Sequence, residues 1–193
     1  PQQQSHIARD AGVEIILAPP ESLAGGRDGI PRMSVALTGD GSAMADLPLG
    51  SADGFGTIIY TSGSTGQPKG VRHGSGQVAW SAAALASAIG AGEGDSYLSV
   101  LPLSLLLESI CALIVPALVG GRTHFATAVS EAVGRGQAAG IAEAFAAHRP
   151  TTGVVVPELL RVWVAELLAT GRRAPESLRF VAAGGAAVPE KVA

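Results

Sequence analysis

The chain is short of lysine, cysteine, aromatic side chains and long hydrophobic runs, and each shortage excludes something. Of 13 basic residues only Lys69 and Lys191 are lysines, and no basic run occurs; with a net charge of -3, a nucleic-acid footprint is excluded. The single cysteine, Cys111, permits no internal disulfide, fits a reducing compartment, and reads as a small buried apolar residue. Aromatics make up 4% of the 193 residues, so a core has to be built mostly from Ala, Val, Leu and Ile. The most apolar stretch, Leu105 to Val119, is interrupted by Glu108, Ser109 and Pro116, which suits a buried helix and not a bilayer span. The opening PQQQSHIARD lacks the apolar segment of a secretory signal, and a soluble, cytoplasmic protein is the expectation.

What is present is a globular composition, 47% hydrophobic and 15% charged, arranged as alternating strand-like and helix-like segments. VEIILA, FGTIIYT, DSYLSVLP, RTHFA, TTGVVVP and SLRFVAAGG read as strands. SGQVAWSAAALASAIG, LLLESICALIVPALVGG, GQAAGIAEAFAAHRP and PELLRVWVAELLATG read as helices, with Gly90, Gly120 and Gly171 at their ends. Residues 19–54 are turn-rich and are expected to be loop with at most short strands. The expected class is α/β, a largely parallel sheet with flanking helices. The chain opens beside a helix and stops one turn into another, at GGAAVPEKVA, so a fragment of a larger domain is expected.

The segment TIIYTSGSTGQPKGV, residues 57–71, carries the chemistry. An apolar run, read as a buried strand, gives way to Thr61, Ser62, Gly63, Ser64, Thr65, Gly66, Gln67, Pro68 and Lys69. A loop leaving the carboxyl end of a parallel strand sits where open α/β sheets bind ligands. Glycines let backbone amides approach a ligand, successive amides form an anion-binding concavity, and hydroxyls add donors that can also face a metal ion. Lys69 adds a compact positive charge in a chain that otherwise uses arginine almost everywhere. Together these specify a polyphosphate. The spacing G-x-x-x-x-G-K-[ST] is not met, because Gln67 and Pro68 separate Gly66 from Lys69.

YTSGSTGQPKGV resembles, nearly residue for residue, the signature loop of the adenylate-forming (AMP-binding) enzymes: acyl-CoA synthetases, luciferases and peptide-synthetase adenylation domains. LPLSLLLE (Leu101 to Glu108) resembles the family's Leu-Pro-Leu segment, and LRFVAAGGAAV resembles its strand and Gly-Gly-Ala loop. The resemblance runs from IARDAGVEIILAPPE onward and is greatest to fatty-acid acyl-CoA synthetases. It implies that residues 1–193 are part of the large N-terminal domain, without the C-terminal lid domain. It implies a reaction in which a carboxylate attacks the α-phosphate of ATP, and coenzyme A then displaces AMP from the acyl-adenylate. By resemblance, Thr61 to Lys69 hold the β- and γ-phosphates, and the Thr61 hydroxyl contacts the bridging Mg2+. Gly184, Gly185 and Ala186 lie against the adenine and the acyl group. The family's Thr-Glu motif, ribose-binding aspartate, hinge and catalytic lysine are expected beyond Ala193.

Leu105 departs from the pattern: many relatives have His there, at the acyl or pantetheine passage, and leucine removes a titratable group. Lys191 reads as a solvated surface residue. His73 is a structural residue near the loop or a phosphate contact, and His6, His124 and His148 lack metal-ligand spacing. Glu108 reads as a partnered or helix-end carboxylate. The expected partners are a small carboxylic acid, ATP and coenzyme A, with a homo-oligomer left open. Two alternatives stand beside the synthetase: an adenylation domain that loads a carrier protein, and a non-catalytic nucleotide-binding module.

Overall fold

Short strands need partners to be stable, and the first part of the chain supplies them in pairs. The computed structural model describes residues 2–18, 29–34, 56–62 and 68–186, and residues 1–75 and 76–193 form two compact units. In the first unit, α1 (Gln2–Asp10) precedes β1 (Ile16–Ala18), which pairs in parallel with β2 (Arg32–Ser34). Strands β3 (Gly56–Ser62) and β4 (Pro68–Gly74) form an antiparallel ribbon, in register from Gly56 opposite Gly74 to Ser62 opposite Pro68. Glycine is required at position 70, because the Tyr60 ring crosses the ribbon there. A Cβ on Gly70 would lie 3.0 Å from Tyr60 Cζ and 2.9 Å from Ile58 Cγ2. Tyr60 Oη in turn donates to the Asp10 carboxylate, tying α1 to the ribbon.

The ribbon corrects the sequence reading. The strand before the hydroxyl-rich segment is antiparallel and half open, with Ile58 41% exposed, where a buried parallel strand was expected. Strand β4 was not anticipated at all. Of the loop expected over residues 19–54, the described part contains β2.

The second unit follows the α/β expectation. Helix α2 (Ser75–Ile89) leads to β5 (Ser96–Ser99). A helical run then comprises α3 (Leu106–Ser109), a π-helical turn (Ile110–Ile114) and α4 (Val115–Val119). Next come β6 (Arg122–Phe125), α5 (Thr127–Gly134), α6 (Ile141–His148), β7 (Thr152–Val155), α7 (Pro157–Thr170) and β8 (Phe180–Ala183). The four strands form a parallel sheet in the order β6-β5-β7-β8. Inner strands β5 and β7 are buried along nearly their whole length, as parallel strands covered on both faces must be. Helix α5 was not foreseen, and α6 is shorter than the helix expected over residues 136–150. Gly90, Gly120 and Gly171 all have positive φ at helix ends, as read from the sequence.

The two faces are packed differently. Gly153 of β7 gives way to the Phe145 ring, which stacks on Trp163 with centroids 4.1 Å apart. Helix α6 is capped from a distance: the Glu166 carboxylate of α7 accepts the amides of Gly140 (2.7 Å) and Ala142 (2.8 Å).

The amino ends of the strands meet at one ion pair. Asp95, just before β5, accepts Arg179 Nε (2.8 Å), Arg179 Nη2, the Thr151 hydroxyl (2.7 Å) and the Gly92 amide (3.0 Å). Arg179 also donates to the Ile89 carbonyl (2.7 Å) and the Gly90 carbonyl (3.3 Å), sealing the carboxyl end of α2. The Arg179 guanidinium, aided by Thr151 and the Gly92 amide, holds the Asp95 carboxyl well below the usual carboxylate range. A depressed native pKa contributes stability that is complete above the unfolded value of about 4 and fades as pH falls through the native one. Asp95→Asn is therefore expected to cost about 1–3 kcal/mol at neutral pH. Urea unfolding from pH 7 down to pH 3 should show a shallower acid decline for the variant, its curve converging on the wild-type curve.

Candidate functional site

Opposed residues of an antiparallel ribbon carry their side chains on one face, Cβ atoms about 5 Å apart. Thr61 and Lys69 are such a pair, and both are exposed. The hydroxyl and the ammonium therefore stand on one face of the ribbon, on the two strands that flank residues 63–67. Of the expected phosphate residues, Gly63, Ser64, Thr65, Gly66 and Gln67 lie outside the described residues. Thr61 and Ser62 belong to the end of β3, and Pro68 and Lys69 to the start of β4. The described flanks of the expected phosphate segment are thus paired strands of an antiparallel ribbon, where a loop at the end of a parallel strand was expected. His73 sits in β4 opposite Thr57, away from the turn.

The second expected group lies in the second unit, at the carboxyl end of β8. The Gly184 amide donates to the Val155 carbonyl (3.1 Å), so the loop continues the sheet's edge. Gly185 has φ +85°, a conformation open to glycine, which accounts for this residue more directly than closeness to a flat base. A Cβ on Gly184 would meet Leu107 Cδ2 at 3.7 Å, and Ala186 is exposed.

Leu107 also opens onto an apolar cavity of about 60 Å³, which the sequence reading did not foresee. Its walls include Leu85 of α2, Tyr97 of β5, Cys111, Val115 and Ala182 of β8. Along the helical run the lining recurs at Leu107, Cys111, Val115 and Val119. An α-helix would turn such positions by about 40° at each step of four residues, and the wider π turn offsets part of that drift. Apolar residues at intervals of four were the available signal. Burial, with the nearby Glu108 charge, pushes the Cys111 thiol up to about 12, consistent with an inert packing residue.

Glu108 is completely buried. Its Oε2 accepts the Tyr97 hydroxyl at 2.8 Å, and Oε1 has no hydrogen bond of good geometry. Burial raises its pKa above the ordinary carboxyl value, while the Ser99 and Tyr97 hydroxyls and the amides of Leu101 and Val100 temper the rise. The reading of Glu108 as a partnered carboxylate agrees with this hydrogen bond. Leu105 precedes α3, is 42% exposed, and is not part of the cavity wall.

Among the described residues no cluster of three or more His, Cys, Asp or Glu side chains could hold a metal ion. The exposed Thr61 hydroxyl is one hard oxygen donor. That fits Mg2+ carried mainly by phosphate oxygens and water, since this ion seldom uses an all-protein cage. No described helix is long and apolar enough to cross a membrane.

The chain matches the family described as AMP-binding enzyme over residues 1–193. It is 41% identical over 73 residues to the long-chain-fatty-acid–CoA ligase ACSBG2 of Rattus norvegicus, covering 36% of this chain and 11% of that protein. It is 32% identical over 139 residues to the 2-succinylbenzoate–CoA ligase of Bacillus subtilis (strain 168), covering 71% of this chain and 26% of that protein. Each match thus spans about a quarter or less of the relative's length. In fold it is similar to a four-domain nonribosomal peptide synthetase bound to AMP and glycine. There the TM-score is 0.75 at 19% identity, over 99% of this chain and 14% of that one.

The ribbon predicts the effect of removing its charge. A charge-assisted contact contributes about 1.5–3 kcal/mol. Lys69→Ala in the full-length protein should therefore weaken the ATP-dependent step about ten- to a hundredfold. Pyrophosphate exchange titrated with ATP measures this, and an unchanged rate and half-saturation would take Lys69 out of the site.

Proposed function

Because the chain belongs to the AMP-binding enzyme family, we propose that the full-length protein is an acid–thiol ligase that activates an apolar carboxylic acid, a fatty acid, with ATP. The observation that carries this reading is the pairing of Thr61 with Lys69 on the two strands that flank the Gly- and hydroxyl-rich segment 63–67. In this reading, residues 61–69 grip the β- and γ-phosphates, and residues 1–193 are part of a large nucleotide-binding domain. A carboxylate oxygen attacks the α-phosphorus, the bond to the pyrophosphate oxygen breaks, and pyrophosphate leaves. The sulfur of coenzyme A then attacks the acyl carbon, AMP departs, and the thiol proton is lost. Mg2+ beside Thr61 would neutralise phosphate charge. Lys69, exposed at the turn, supplies a further positive charge where negative charge shifts onto pyrophosphate.

The apolar cavity that Leu107 borders favours hydrocarbon over a polar group, although Asp95, Arg122 and Thr152 also border it, and at about 60 Å³ it takes only a short stretch of an acyl chain. Likeness to a long-chain-fatty-acid–CoA ligase points the same way. Gly184, Gly185 and Ala186 would border the acyl-adenylate. A cytoplasmic setting fits the lone, buried Cys111.

The test is a profile of acid chain length in the full-length protein. Gly185→Leu would be a poor probe, since its positive φ strains any side chain. Ala182→Leu instead places bulk in the cavity wall and is expected to abolish long-chain acids before short ones. Equal loss for acetate and long-chain acids would mean damage to the fold and would count against the cavity as the acyl site. Transfer to a holo carrier protein in place of coenzyme A would move the protein to the carrier-loading branch.

A further inference from the structure

Glu108 is the least comfortable side chain among the described residues. It has no exposed surface, and its Oε1 lacks a hydrogen bond of good geometry. Burying a polar atom without a partner costs stability, and an apolar residue at this position would serve the fold alone better. Such a group is therefore a candidate for work in a site.

Its location says what work. Glu108 occupies the first turn of α3, and its Oε2 accepts the hydroxyl of Tyr97, a residue of β5. The Ser99 hydroxyl and the amides of Val100 and Leu101 stand beside the same carboxyl, so the end of β5 is gathered around it. One residue away, Leu107 reaches Gly184 and lines the apolar cavity together with Tyr97 and Cys111. Leu107 is itself partly exposed, at 37%. The carboxyl and one residue of the cavity wall are thus consecutive in one short turn. That turn is followed directly by the π turn, where the helical hydrogen-bond ladder is irregular.

We propose that Glu108 is a positioning residue for the acid: by accepting the Tyr97 hydroxyl it clamps the first turn of α3 to β5 and holds Leu107, which borders the cavity, beside Gly184. This rests on the reading that the cavity takes the acyl group. The clamp needs an acceptor of the right shape and no charge. Burial favours the neutral carboxyl, and an amide offers the same acceptor oxygen. A displacement of about 1 Å at a positioned group can cost as much as a hundredfold, so loss of the clamp should be visible in the kinetics.

The experiment is steady-state adenylation by the full-length protein, with the acid and ATP varied separately, for Glu108→Gln, Glu108→Ala and Tyr97→Phe. Glu108→Ala and Tyr97→Phe are expected to raise KM for the acid about tenfold or more, with KM for ATP held within about twofold. Glu108→Gln is expected to stay close to wild type for both substrates. A Tyr97→Phe protein with an unchanged acid KM would overturn the proposal. So would a Glu108→Gln protein as impaired as Glu108→Ala, or equal shifts for acid and ATP. If Glu108→Ala does not fold, the other two variants decide. A wild-type protein that activates no apolar acid fails earlier: it removes the underlying acyl-site reading, and the positioning role with it.

Discussion

Asp95 and Arg179 are 84 residues apart in sequence, and their ion pair is the fastening on which the second unit depends. One carboxylate collects a guanidinium, a hydroxyl and an amide, and the guanidinium passes on to the carbonyls that end α2. Thr151, just before β7, also accepts the Ser96 amide at the start of β5 (2.9 Å), and Arg179 leads into β8. Helix α2, β5, β7 and β8 are thereby joined at their amino ends. Paired charges with their hydrogen-bonding capacity filled are the arrangement in which a partly buried ion pair stabilises.

The opposite end of the sheet is built on other terms. At the carboxyl ends of β5 and β8 the structure places a buried, partly unsatisfied carboxyl and a glycine with positive φ, whereas the apolar cavity runs along the strands toward Asp95, Thr152 and Phe180 at their amino ends. Open parallel sheets bind ligands at that end. Charge is spent on holding the amino ends, and the carboxyl ends carry the buried Glu108 carboxyl and the Gly184–Gly185 loop. A site needs room and the ability to exclude water more than it needs cross-links, and the division between the two ends follows from that.

Much of this was legible from the sequence where local chemistry determines local structure. The inner strands SYLS and TGVV, the helices α2 and α7, and the glycine helix ends follow from composition and periodicity. Strand β4 was hidden because Pro68, Lys69, Gly70 and Arg72 make a poor strand by propensity; cross-strand pairing with β3 forms it. For the same reason the hydroxyl-rich segment read as a free loop, although its flanks are ladder residues. Helix α5 is too short to show a helical period. The Asp95–Arg179 pair and the Tyr97–Glu108 contact could not be read in advance, since neither partner signals the other locally. Glu108 within an apolar run did announce that a partner was required.

The remote cap on α6 bears on how the second unit comes apart. Because Glu166 supplies acceptors that α6 does not have in its own sequence, the first turn of α6 is complete only while α7 is docked. Phe145 and Trp163 add a ring stack between the same two helices. Helices α6 and α7 therefore behave as one cooperative opening unit. The amides of Gly140 and Ala142, although in the first turn of a helix, should exchange with solvent at the slow rate set by release of α7, not at the rate at which a helix end frays.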